Sequence, residues 1–132
     1  MSFDIEKWVH DHKSTKFEWG VTDCCLFTGD YIFAATGVDP AEPYRGRYST
    51  ETGAKRALLK YGTIENAIDD SGFKRVDFNF AKRGDVVLFD TELGQVLGIK
   101  WTGGVLGLTF EGLVVTPVRR ADVVATWSIL SE

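Results

Sequence analysis

The sequence predicts an α+β fold, with N-terminal helices packed on a C-terminal antiparallel sheet or half-barrel, in a single domain over residues 1–132. Three observations predict it. Helix-capping residues and helix-ending glycines alternate as far as Gly72. Beyond Gly72 short β-branched and aromatic runs recur between Gly, Asp and Pro. A hydrophobic fraction of 44% and an aromatic fraction of 13% are enough for a packed core.

The elements follow in order. Ser2 caps a first short helix that puts Ile5, Trp8 and Val9 on one face. Lys13 to Lys16 is a polar break. A second helix runs from Asp23 to about Thr36 and stops at Gly37, a usual helix-ending residue. A loop, Val38 to Ser49, holds Asp39-Pro40, Pro43 and Tyr44-Arg45-Gly46-Arg47-Tyr48. Thr50 caps a third helix through Ala54, Ala57, Leu58 and Tyr61, ended by Gly62. Thr63 caps a fourth, Ile64 to Asp70, ended by Gly72. Phe73 to Val76 is a short extended segment. Strands are expected over Asp85–Phe89, Val96–Trp101, Val105–Phe110, Gly112–Thr116 and Val123–Ile129. Gly103-Gly104 is a hairpin turn. Several strands are apolar on both faces, so the sheet either curls into a half-barrel or has its second face covered.

Charge and composition restrict the function. The formal net charge is −4 and the isoelectric point near 5.2. Nucleic acid and anionic membranes select basic patches, so neither is an expected partner. No apolar stretch approaches the ~20 residues that span a bilayer, and Met1 to Lys7 lacks the apolar core of a signal peptide. A cytosolic site of synthesis is expected. The two cysteines, Cys24 and Cys25, are adjacent, which disfavours a disulfide scaffold. His10 and His12 are the only histidines. Spaced i, i+2 on a helix, they point to different sides and read as two solvated residues. Neither a metal nor a cofactor is expected.

The segment Phe17-Glu18-Trp19-Gly20-Val21-Thr22-Asp23-Cys24-Cys25-Leu26-Phe27 carries most of the chemical information. Asp23 is a good N-cap for the second helix. Cys24 then occupies the first helical position, where the positive end of the helix dipole stabilises a thiolate. Cys25 reads as a small packing residue. Trp19 walls the core or lines a groove beside Cys24. Arg45 and Arg47, between two tyrosines, either bind a carboxylate or a partner chain, or belong to a loop pinned by tyrosine packing and an internal ion pair. Asp69, Asp70 and Glu132 read as solvated charge.

An Asp-Cys helix start in a helical N-terminal half, followed by Arg83-Gly84-Asp85-Val86-Val87-Leu88-Phe89 opening a meander, resembles the NlpC-type cysteine peptidases. These are papain-like enzymes that cut cell-wall peptides. More closely, the chain resembles a group of small phage and prophage proteins related to that superfamily. The shared marks are Phe17 to Cys24, the Arg-Gly-x-Tyr loop Arg45 to Tyr48, Gly84 to Val86, and Leu97 to Ile99. The resemblance implies Cys24 as the ancestral nucleophile, with Trp19, Asp23, Arg45, Arg47 and Tyr48 as binding residues.

Aligning Gly98-Ile99 with the family's Gly-Ile puts Val96 where the base histidine belongs. Gln95 is one residue earlier and would reach the site only through a bulge. No histidine follows His12, so His10 or His12 would have to stand in as base. A dyad without its base loses several orders of magnitude in rate. The resemblance therefore implies a phage tail-tip protein of degenerate NlpC-like fold, catalytically inactive. It would be made in the host cytoplasm and built into the virion tail among other tail proteins. The alternative is a cysteine peptidase or amidase that acts on cell-wall peptides through Cys24 with an atypical base.

Overall fold

Four helices and six strands make up the computed structural model, which describes residues 3–92 and 94–130. The helices are α1 (Ile5–Asp11), α2 (Cys24–Thr36), α3 (Glu51–Tyr61) and α4 (Ile64–Asp70). The strands are β1 (Lys74–Arg75), β2 (Val86–Thr91), β3 (Gly94–Trp101), β4 (Gly104–Thr109), β5 (Gly112–Thr116) and β6 (Val123–Ser128). The fold is α+β, as the sequence predicts.

Side-chain caps set the helix starts. Asp23, Thr50 and Thr63 accept hydrogen bonds from the backbone N–H groups of Leu26, Gly53 and Asn66. The expected cap of α1, Ser2, lies outside the described residues. Asp4 performs that role, accepting from the N–H of Lys7 at 3.0 Å. Gly37 closes α2 in the left-handed conformation, at φ +81°.

The strands form one antiparallel sheet in the order β1-β6-β2-β3-β4-β5. It does not close into a barrel, because β1 and β5 stay unpaired with each other as its two edges. The helices cover one face. Phe27, Tyr31 and Ile32 of α2 and Ile68 of α4 pack there on Val86, Leu88, Leu97, Ile99 and Trp127. Each such large apolar side chain contributes roughly 1.5–3 kcal/mol on burial. On the other face, Val87, Phe89 and Val105 are covered by Phe78 and Val118, from the connections before β2 and after β5. Local loops thus supply the second layer that strands apolar on both faces require.

Two local devices fix α2 on the sheet. The Tyr31 hydroxyl donates to the Gly84 carbonyl at 2.6 Å, just ahead of β2. The buried Asp85 carboxylate accepts the Lys82 N–H at 2.8 Å, and burial pushes its carboxyl above the ordinary range. The second device is a fork in the sheet. β3 and β4 pair only from Ile99↔Leu106 to Trp101↔Gly104. Gly98 lets them meet closely at the branch, since a Cβ there would lie 2.5 Å from Val105 Cγ1. Beyond it the strands part, and the start of α2 enters the gap. Thr28 Oγ1 lies 3.0 Å from the Leu97 carbonyl and 3.0 Å from that of Cys24, and donates to them. A main-chain acceptor that β4 would otherwise satisfy is thereby taken by the helix.

Candidate functional site

Cys24 is the first residue of α2 and Asp23 its cap, as expected from the Asp-Cys step. The Asp23 side chain is 2% exposed and accepts three hydrogen bonds. They come from the N–H of Leu26 at 3.0 Å, the N–H of Gly20 at 3.1 Å and the Tyr48 hydroxyl. The Trp19-Gly20 turn and the Arg45 to Tyr48 loop are interlocked through this carboxylate. The Gly46 N–H also donates to the Gly20 carbonyl at 3.1 Å. Gly20 has φ +80°, and a Cβ there would overlap the Tyr48 carbonyl oxygen at 1.8 Å. Only glycine fits that contact.

The arginines of this loop point to structure. Arg45 Nε bonds Asp39 Oδ2 at 2.7 Å, and its Nη2 lies 2.8 Å from Asp30 Oδ1. The guanidinium is consumed inside the domain. Arg47 lies 5.8 Å from the centroid of the Tyr61 ring. Neither arginine lines the cavity described below, whereas Trp19, Asp23, Cys24 and Tyr48 do. Arg45 is therefore engaged in the internal ion pair that one of the two readings expected.

A cavity of about 730 Å³ opens at the first turn of α2. Its walls come from α2, α3, the Tyr44–Tyr48 loop, β3 and the tip of the β4–β5 hairpin. Phe17, Trp19 and Phe110 form an aromatic rim, with Phe17 and Phe110 4.5 Å apart and Trp19 and Phe110 5.9 Å apart, centroid to centroid. Phe110 remains 69% exposed.

Both thiols line this cavity, with Cys24 Sγ and Cys25 Sγ 3.8 Å apart. The contact with the Cys25 side chain lowers the Cys24 thiol from the ordinary range. Burial and the neighbouring Asp23 carboxylate oppose this, and the Leu97 main chain adds to it. Cys25 is driven well above the ordinary range, first by that same contact and then by burial. The two thiols are in contact and shift each other's titration in opposite directions. Cys25 packs against the main core, as expected, and its sulfur also touches Cys24.

No imidazole reaches this site among the described residues. His12 stacks on Trp8 at 4.1 Å, with its Nδ1 2.7 Å from the Trp8 carbonyl, and neither His10 nor His12 lines the cavity. His12 is half-buried by that stacking, so the expectation of two solvated histidines holds for His10 alone. Asp69 is also paired, to Arg75 at 2.7 Å and to the Trp127 indole N–H at 2.9 Å, and is not the solvated charge expected.

β3 corrects the sequence alignment at the base position. The β2–β3 ladder is regular from Val86↔Ile99 to Thr91↔Gly94. Val96 therefore faces the opposite side of the sheet, among Val87, Phe89 and Val105. Gln95 shares the helix-facing side with Leu97 and needs no bulge to do so. It is exposed and lines the cavity. A histidine at 96 would point away from Cys24. Gln95 is an uncharged amide, which cannot accept and return a proton at neutral pH.

The site has no cluster of three or more His, Cys, Asp or Glu side chains arranged for a metal among the described residues. No helix among them is long and apolar enough to cross a membrane. Fold and site together define an α+β domain with a helix-capped thiol pair in a largely apolar cleft. The chain belongs to the DUF6950 family, a domain of unknown function, whose model matches residues 3–129. A comparison with curated proteins finds no match.

Proposed function

We propose that this protein is a phage or prophage tail-tip component of NlpC-like fold that has kept the cleft and the thiol and has lost the general base. It binds and does not hydrolyse. The observation that carries this reading is the wall opposite Cys24, where Gln95 and the main chain of Leu97 stand and no imidazole does. Papain-like hydrolysis needs a group that takes the thiol proton, protonates the leaving amine and then activates water. Cys25 holds a proton here, yet neither cysteine is a base for water near pH 7. Expected partners are other tail proteins, reached after synthesis in the host cytoplasm.

One observation favours a second reading. The lowered Cys24 thiol retains nucleophilic character. A cysteine peptidase or amidase acting on cell-wall peptides with an atypical base would exploit it. Incubation with purified cell-wall peptides, followed by mass spectrometry, separates the two. Intact peptides, with the protein recovered stoichiometrically in purified tails, support the binding role. Cleavage that disappears in Cys24→Ala establishes the enzyme.

A further inference from the structure

We infer that the cavity receives an extended, uncharged polypeptide segment of a partner protein, which pairs through its main chain with the open edge of β3 at Gln95. This rests on the binding role proposed above and names the ligand of that site.

The edge follows from the ladder. In an antiparallel pair, successive residues direct their N–H and C=O groups alternately to one neighbour and the other. Lys100 exchanges hydrogen bonds with the start of β2, its N–H donating to the Asp85 carbonyl at 2.7 Å and its carbonyl accepting from Gly84 at 2.9 Å. Counting back along β3, Gly98, Val96 and Gly94 also turn to β2. Leu97 and Gln95 turn the other way, towards the gap where β4 has departed. The Leu97 carbonyl is met by Thr28. Gln95 comes next, and the ladder leaves its N–H and C=O without a strand partner. Four consecutive residues, Gly94 to Leu97, line the cavity. A strand presenting only a face would offer alternate residues, so this strand presents its edge. An incoming strand would find one donor and one acceptor already aligned.

The character of the walls selects the occupant. Asp23 is 2% exposed and already accepts three hydrogen bonds from within the chain. The remaining charged lining residues, Glu51, Lys55 and Glu92, are solvent-exposed at the margin. A ligand charge carried inside would be desolvated without a counter-charge, which costs several kcal/mol. Cell-wall stem peptides carry free carboxylates and amines and suit this cavity poorly. A protein segment with apolar side chains at alternate positions suits it well, one side chain entering under the Phe17–Trp19–Phe110 rim while its backbone meets Gln95.

The test uses acetyl-Thr-Leu-Thr-Leu-Thr-amide as probe, titrated calorimetrically into the full chain carrying Cys24→Ala so that no thiol chemistry contributes. Gln95→Pro removes the outward N–H, and the β2 ladder does not use that group, so an edge proline is tolerated. Gln95→Ala removes only the side chain. Binding within twofold of the parent in Gln95→Ala, with at least tenfold weakening in Gln95→Pro, is the expected result. The same weakening is expected for the parent protein with a probe N-methylated at its central threonine, a measurement independent of how the proline variant folds. Equal behaviour of the two Gln95 variants overturns the inference. So does indifference to N-methylation, binding of dodecanol in preference to the peptide, or no peptide binding at millimolar concentration. Hydrolytic activity is not read by this assay, so its failure and that of the binding role remain distinct.

Discussion

Cys24 and Cys25 occupy one turn of one helix, yet their environments push their thiols in opposite directions. The Cys25 side chain and the Leu97 main chain draw the Cys24 thiol down, whereas contact with Cys24 and desolvation push the Cys25 thiol up. Removing the Cys25 thiol reverses the effect on Cys24. In Cys25→Ala the Cys24 thiol is expected to titrate at higher pH than in the parent, and the pH profile of its iodoacetamide alkylation reads this directly. An unchanged or lower midpoint would show that Cys25 does not draw it down. Around this pair the sequence was legible where one residue has one local task. Asp before an apolar run reads as a cap, and Asp23 is one. Tyr48 was legible as a motif member, though its role as the third donor to Asp23 depends on a loop 25 residues away in sequence. Arg45 was ambiguous for the same reason, because Asp30 and Asp39 become its partners only once that loop folds over α2.

At the scale of elements, the contact between α2 and the sheet fork creates the site. Thr28 is wholly buried on α2, and its hydroxyl meets the Leu97 carbonyl that the fork leaves over and the Cys24 carbonyl one turn back in its own helix. Thr28→Val keeps the shape and deletes the donor, leaving a buried acceptor unpaired. A loss of ~1–2 kcal/mol is expected, read as a lower urea midpoint at unchanged slope. No loss would mean that the fork is held by packing alone. The strands themselves were readable from β-branched runs between turn residues, and Gly112–Thr116 matches its expected limits. Strand order was not. The placement of β6 between β1 and β2 is a long-range pairing with no local signature. The face of Val96 was also misread. A motif aligns residues along a chain, whereas the pleat assigns them to faces by register, and register is set by the β2–β3 hairpin and by the buried alternation of Leu97 and Ile99.

At the scale of the whole molecule, loops cover the second face of the sheet and leave the cleft as the main apolar opening to weigh. The expected cover for strands apolar on both faces is supplied from within the chain. Phe78 and Val118 provide it on one face. Phe80 at 81% and Leu59 at 90% exposure are isolated side chains of the kind any folded surface carries. What remains distinctive is a helix-capped thiol in a cleft that no imidazole lines. On the proposed binding role, Cys24 is expected to be acylated once and not to recover. The direct measurement is the reaction of the protein with excess p-nitrophenyl acetate, following p-nitrophenolate release over time near pH 7. Attack by the Cys24 sulfur forms a thioacetyl group and expels one p-nitrophenolate. A burst of one equivalent is expected, absent in Cys24→Ala, followed by a stable acetylated protein of the corresponding mass. Continuous release over many equivalents that vanishes in Cys24→Ala would show water being activated at the site, and the binding role would give way to an enzyme.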